Sequence, residues 1–159
     1  MGAEEPSDPD LPGVIAPAPL IFVPGLLLGL GLDYLWPVVI LPAAIRYPGG
    51  IFLIGLSLLP VVWALVHFRR AKTSFDPRKP SSELITVGPF AYSRNPIYLA
   101  MGLLLAGIGV LASSMWIFPF LVVALVITQY GIIRREESYL ERRFGKDYLA
   151  YKSKVRRWF

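Results

Sequence analysis

From Ile97 to Ile133 the chain runs 37 residues without a charged side chain, between Arg94-Asn95-Pro96 on one side and Arg134-Arg135-Glu136-Glu137 on the other. As a single helix this stretch would extend about 55 Å at roughly 1.5 Å per residue, against a hydrocarbon core of about 30 Å. The pattern therefore predicts two crossings, which return the two polar ends to one membrane face. Extended to the whole chain, it predicts four apolar spans at about 20–36, 49–68, 97–111 and 116–133, hence an all-α polytopic membrane bundle. The first run is interrupted by Pro24, several glycines and Asp33. Carrying it on to Leu41 would place Asp33 inside the bilayer at a cost of a few kcal/mol unless paired. Pro37 and Pro42 favour an end near Trp36, at the lipid boundary, and an interfacial turn over 37–48.

Cations fix the expected orientation. Residues 69–96 hold Arg69, Arg70, Lys72, Arg78, Lys79 and Arg94, residues 134–159 hold nine more, and the turns on the other side hold only Arg46. The positive-inside tendency puts the loop 69–96, the tail 134–159 and both termini in the cytoplasm. Prolines and Gly88-Pro89 break that loop, so it reads as an ordered cap or connector, with a flexible linker as the alternative. The tail reads as one or two short amphipathic helices broken near Gly145. Residues 1–19, with four acids and five prolines, read as an irregular lead, and residues 20–159 as one membrane domain.

Composition narrows the chemistry. The chain is 55% hydrophobic with net charge +5, and the cations abut apolar runs, which fits anionic headgroups rather than nucleic acid. No cysteine is present, and the single His67 leaves too few ligands for a His-based zinc centre. Gly107-Ile108-Gly109-Val110-Leu111-Ala112 fits a dinucleotide fingerprint formally, but lies inside a predicted span. Gly102, Ala106 and Gly109 read instead as a helix-packing surface. His67 suits an interfacial hydrogen-bonding role.

The two polar brackets each have an ordinary structural reading. Asn95 can cap a helix that starts at Pro96, Arg94 and Tyr98 can anchor at the interface, and Glu136-Glu137 can end a helix in solvated ion pairs. Helical spacing also sets Tyr130, Arg134 and Glu137 on one face and Gln129 with Glu136 on another. A carboxylate there could hold a cationic group at the membrane mouth.

Taken together, Thr86-Val87-Gly88-Pro89-Phe90-Ala91-Tyr92-Ser93-Arg94-Asn95-Pro96-Ile97-Tyr98, then Glu136-Glu137-Ser138-Tyr139-Leu140, Phe144-Gly145-Lys146-Asp147-Tyr148 and Tyr151-Lys152 resemble the isoprenylcysteine carboxyl methyltransferase and phospholipid N-methyltransferase superfamily. The resemblance covers about residues 49–159. It implies S-adenosylmethionine as cofactor, Gly88, Asn95, Tyr98, Glu136 and Glu137 as cofactor-binding residues, and Arg94 and Glu137 in catalysis, with no metal. It also implies membrane lipids as surroundings and a lipid or other hydrophobic acceptor. Asn95 stands where isoprenylcysteine enzymes usually carry His and resembles the phospholipid branch. Two other functions remain open at this point: an NADPH-dependent sterol-type reductase, which shares a related C-terminal architecture, and a non-catalytic scaffold of the same fold.

Overall fold

The computed structural model describes residues 11–70 and 83–158, and among them every regular element is helical. Helix α1 spans Pro19–Leu35, α2 Ala43–Arg70, α3 Pro96–Ala112, α4 Ile117–Thr128 and α5 Arg134–Lys154, with a single 3-10 turn over Gly88–Ala91. Most of the loop's first half (71–82), which carries Lys72, Arg78 and Lys79, and the first half of the lead lie outside the described residues.

Proline and small residues set the helix starts and the packing. Pro19 and Pro96 open α1 and α3 at positions whose amide would have no partner in any case. Gly25 and Gly29, one turn apart on α1, lie against Phe120 and Ile117 of α4, and a Cβ on Gly29 would meet Ile117 Cα at 2.9 Å. Gly50 of α2 lies as tightly against the backbone of Leu111, and Gly107 of α3 against Ile54. These are small-residue interfaces of the membrane-helix type. On α3, Gly102 and Gly109 do turn together toward α4, meeting Leu125 and Ile117. A core of Ala18, Phe22, Leu105, Ile117, Ala124 and Ile132 joins α1, α3, α4 and the turn after α4.

Among the described residues two helices are long and apolar enough to cross a membrane: α2, of 28 residues, and the continuous helix Ile117–Lys154, of 38. Only 11% of the apolar window of α2 is buried within the protein, whereas the core helix of a soluble protein is mostly buried. Leu58, Leu59, Val62, Val122, Val123 and Val126 all face outward. Helices α1 and α3 are apolar but shorter, at 17 residues each.

Three expectations are corrected. The stretch 37–48 is not a turn throughout, because α2 begins at Ala43. The Pro42 carbonyl accepts the amides of Ile45 and Arg46, so Pro42 starts a helix instead of extending a loop. The tail does not begin a separate short helix. It continues α4 through a π-turn over Gln129–Ile133, where the Arg134 amide reaches back to Gln129 O. The expected break at Gly145 is present as a kink with φ +51°, which glycine tolerates. Finally, the predicted helical face is not buried as a unit, since Arg134 and Glu137, three residues apart on α5, lie about 60° apart around the helix. Tyr130 and Arg134 remain together, with the guanidinium 4.3 Å from the ring centroid, but on the exposed side, while Glu137 is buried.

Candidate functional site

The segment Ser93–Tyr98 enters α3 through a non-helical Asn95 (φ −130°, ψ 51°). Its side chain does not cap α3 as the sequence suggested. The Asn95 amide donates instead to Arg157 O at 3.0 Å, the Ser93 hydroxyl donates to the same oxygen at 3.2 Å, and the Arg94 amide donates to Arg156 O at 3.0 Å. Residues 155–157, extended beyond α5, are thereby stitched alongside the start of α3. Trp158 adds a bond from its indole N–H to Gln129 Oε1 at 3.1 Å.

Glu136 and Glu137 are adjacent in sequence and face different partners. Tyr98 donates its hydroxyl to Glu136 Oε1 at 2.7 Å, which closes the 38-residue interval between the two motifs. Glu137 is gripped by Arg157 through Nε (2.9 Å) and Nη2 (2.6 Å), and its Oε1 lies 3.2 Å from Arg94 Nη1. Both Arg94 and Glu137 side chains are 9% exposed, so this is a desolvated pair with a second cation behind it. Removing Glu137 would strand the buried Arg94 charge. Arg94 Nη1 also approaches Tyr148 Oη at 3.5 Å, and Tyr151 Oη donates to Phe90 O at 2.7 Å, anchoring α5 beyond its kink onto the 3-10 turn.

These groups form one end of a cavity of about 470 Å³. Arg94, Asn95, Tyr98, Glu136, Glu137 and Tyr148 make its polar end. Phe68, Leu84, Ile85, Phe90, Ile97, Met101 and Leu140 make most of its remainder, to which Glu83 adds one carboxylate, and Pro12, Pro17, Ala18 and Pro19 close one side. Two polar valences are left for a ligand at the polar end. Arg94 Nε is buried without a hydrogen-bond partner, and Glu136 Oε2 has none among the described residues. Burial pushes the Glu136 carboxyl up to about 7; the Tyr98 hydrogen bond lowers it and the neighbouring Glu137 charge raises it. Arg157 is held more firmly protonated by its hydrogen bonds to Glu137.

Of the residues singled out from sequence, Arg94, Asn95, Tyr98, Glu136 and Glu137 meet at this cavity. Gly88 stands apart from it. Its φ of +67° turns the chain against the His67 ring, where a Cβ would lie 2.5 Å from His67 Cε1. His67 itself is bonded to Trp63 O at 2.9 Å and packs edge-on to the Trp63 ring. Sequence reasoning missed Arg157, Tyr148, Tyr151 and the Pro12–Pro19 wall. The signal available for Arg157 was only that nine cations crowd the tail, too many to single one out. Among the described residues, no three His, Cys, Asp or Glu side chains converge as metal ligands would.

Comparison with known proteins adds a family to this geometry. The chain is 29% identical over 92 residues to a nickel-cobalt-cadmium resistance protein, NccN, of Alcaligenes xylosoxydans xylosoxydans; the match covers 58% of this chain and 43% of that protein's length. It is 46% identical over 68 residues to an uncharacterised protein of Haemophilus influenzae, covering 39% of this chain and 98% of that one. No solved structure matches. Residues 45–147, which contain both walls of the polar end up to Asp147, match the phospholipid methyltransferase model, and the chain belongs to that family.

Proposed function

We propose that this chain is a polytopic membrane enzyme that transfers the methyl group of S-adenosylmethionine to a lipid or other hydrophobic acceptor inside the cavity described above. The observation that carries the reading is the Tyr98–Glu136 bond: it brings the two motifs to one chamber that is charged at one end and apolar at the other. The family supports a methyltransferase, and the volume is within the range of small-molecule sites. With α1 to α4 as four crossings, the cation-rich segments and the mouth of the cavity face the cytoplasm.

The residues present fit this cofactor. Its methionyl portion carries an ammonium and a carboxylate, and the polar end offers a carboxylate oxygen of Glu136 and the unpartnered N–H of Arg94. When bound, the cofactor supplies a methyl group on a positively charged sulfur that leaves as a neutral thioether, so neither a metal nor a protein nucleophile is needed. The chain's own work is placement. Tyr98 fixes the rotamer of Glu136, and the Arg157 fork fixes Glu137, which holds Arg94 in turn. The apolar walls keep water from the acceptor. Such positioning is worth about 7–11 kcal/mol in favourable cases.

With Nη1 committed to Glu137, Arg94 has only part of its guanidinium left for an acidic acceptor. The deciding experiment is thermal stabilisation of the purified protein by S-adenosylhomocysteine against NADPH. Stabilisation by the former, together with transfer of a radiolabelled methyl group to a component of a total lipid extract, is the expected result. Stabilisation by NADPH alone would sink the reading. Cofactor binding without transfer to any lipid would favour a scaffold.

A further inference from the structure

Beyond the end of the uncharged run, α5 carries Arg134, Ser138 and Arg142 one helical turn apart in succession, with Arg135 beside them. These side chains and the segment Leu11–Gly13 wall a shallow groove of about 310 Å³. Among the described residues that line it there is no carboxylate. Arg135 gives one N–H to Gly13 O at 2.8 Å, Arg134 lies over the Tyr130 ring, and Arg142 makes no hydrogen bond or ion pair with a described residue. The contrast with the cavity end is plain: Arg94 and Arg157 both have Glu137. Three exposed guanidinium groups thus converge without a counter-charge among the described residues, starting one residue past Ile133, at the depth where a helix leaving the membrane meets the headgroup layer.

We propose that this groove binds a phosphate-bearing anion, with Arg134 and Arg142 as its principal ligands, and that its source is the headgroup of an anionic phospholipid in the surrounding leaflet. The planar guanidinium matches two phosphate oxygens at once, and a groove at the membrane surface meets lipid phosphates at far higher local concentration than dissolved ones. Pro12 lines both the groove and the cavity, and Arg135 ties the same segment to α5. A headgroup seated here therefore braces the wall of the cavity from outside. The assignment rests on the membrane placement proposed above and not on methyl transfer, so its failure and that of the methyltransferase reading are distinguishable.

The test follows the melting temperature of the full chain in a neutral detergent during titration with short-chain phosphatidylglycerol, short-chain phosphatidylcholine or inorganic phosphate. The expected result is stabilisation by phosphatidylglycerol and none by phosphatidylcholine. Arg134→Gln/Arg142→Gln should need at least tenfold more phosphatidylglycerol for the same shift. Lys146→Gln, which removes one charge elsewhere on α5, should titrate like the parent. Stabilisation by inorganic phosphate at the same concentrations, with the same arginine dependence, would uphold the phosphate site and overturn the lipid as its source. Equal responses to both lipids, or a double variant that titrates like the parent, would overturn the site. Should the double variant fail to fold, Arg142→Gln alone decides, since that side chain has no partner to lose among the described residues.

Discussion

At the end of the bundle away from the cavity, the Ser113 hydroxyl accepts the amides of Ile40 (3.1 Å) and Leu41 (2.8 Å) and donates to Leu41 O (3.1 Å), while Trp116 donates its indole N–H to Trp36 O. At the cavity end, Ser93 and Asn95 take hold of the Arg157 carbonyl in the same manner. Both ends are sealed by short polar side chains that catch the backbone of a segment distant in sequence. They differ in what is left over. Ser113 has used its one donor and both acceptor sites, so nothing remains for a ligand. The cavity end keeps an unpartnered N–H on Arg94 and, on Glu136, an oxygen without a partner among the described residues. Asp33 Oδ1, Arg46 Nε and Ser114 Oγ, at the far end, also lack partners, but they line neither cavity. Unspent hydrogen-bonding capacity beside a chamber distinguishes the cavity end from the merely closed one.

The comparison breaks most readily at Glu137. Glu137→Ala leaves Arg94 buried without its anion and should cost about 3 kcal/mol of stability, the scale for removing one member of a buried pair, along with stabilisation by S-adenosylhomocysteine. Denaturant unfolding with and without that ligand measures both. Ser113→Ala, by contrast, should cost about 1–3 kcal/mol for the backbone amides it abandons and leave the ligand shift intact. If both variants lost ligand stabilisation equally, the two ends would not be functionally distinct. Tyr98→Phe removes a single hydrogen bond and should cost about 1 kcal/mol of stability, with a larger effect on cofactor affinity, read by calorimetric titration.

The smallest effect is in pH. A carboxyl whose value rises on folding binds its proton more tightly in the native state, so the unliganded protein should lose some stability as pH rises from the ordinary 4.5 through about 7. A cationic ligand group favours the ionised carboxylate, so affinity should climb over the approach to pH 7. Glu136→Gln should flatten both profiles. An unchanged pH profile in that variant would remove Glu136 from the ligand's cationic end.

Much of the framework was legible because membrane helices advertise themselves by length and lack of charge. The expected 20–36 and 97–111 lie within a residue or two of α1 and α3. The 38-residue separation between Tyr98 and Glu136 gave their proximity through bilayer thickness alone. What escaped was local. Nothing in Gln129-Tyr130-Gly131-Ile132-Ile133 announces a π-turn, and helical spacing alone did not tell that Tyr130 and Arg134 would be exposed while Glu137 is buried. The amide of Asn95 looked like a helix cap because capping depends on nearby residues, whereas its partner lies 62 positions away. Likewise the lead looked merely irregular, but Ile15 packs on Gly131, its amide bonded to Gly131 O, and the prolines around it close the cavity.

The reach of Arg157 also separates the helices from the finish of the polar end. Every helix is complete by Lys154, yet without the residues beyond it Arg94 and Glu137 would lack the fork that steadies them, and Ser93 and Asn95 the carbonyl they grasp. Loss of those few residues would therefore leave the bundle's helices whole and its polar end loose, two properties that can be altered independently.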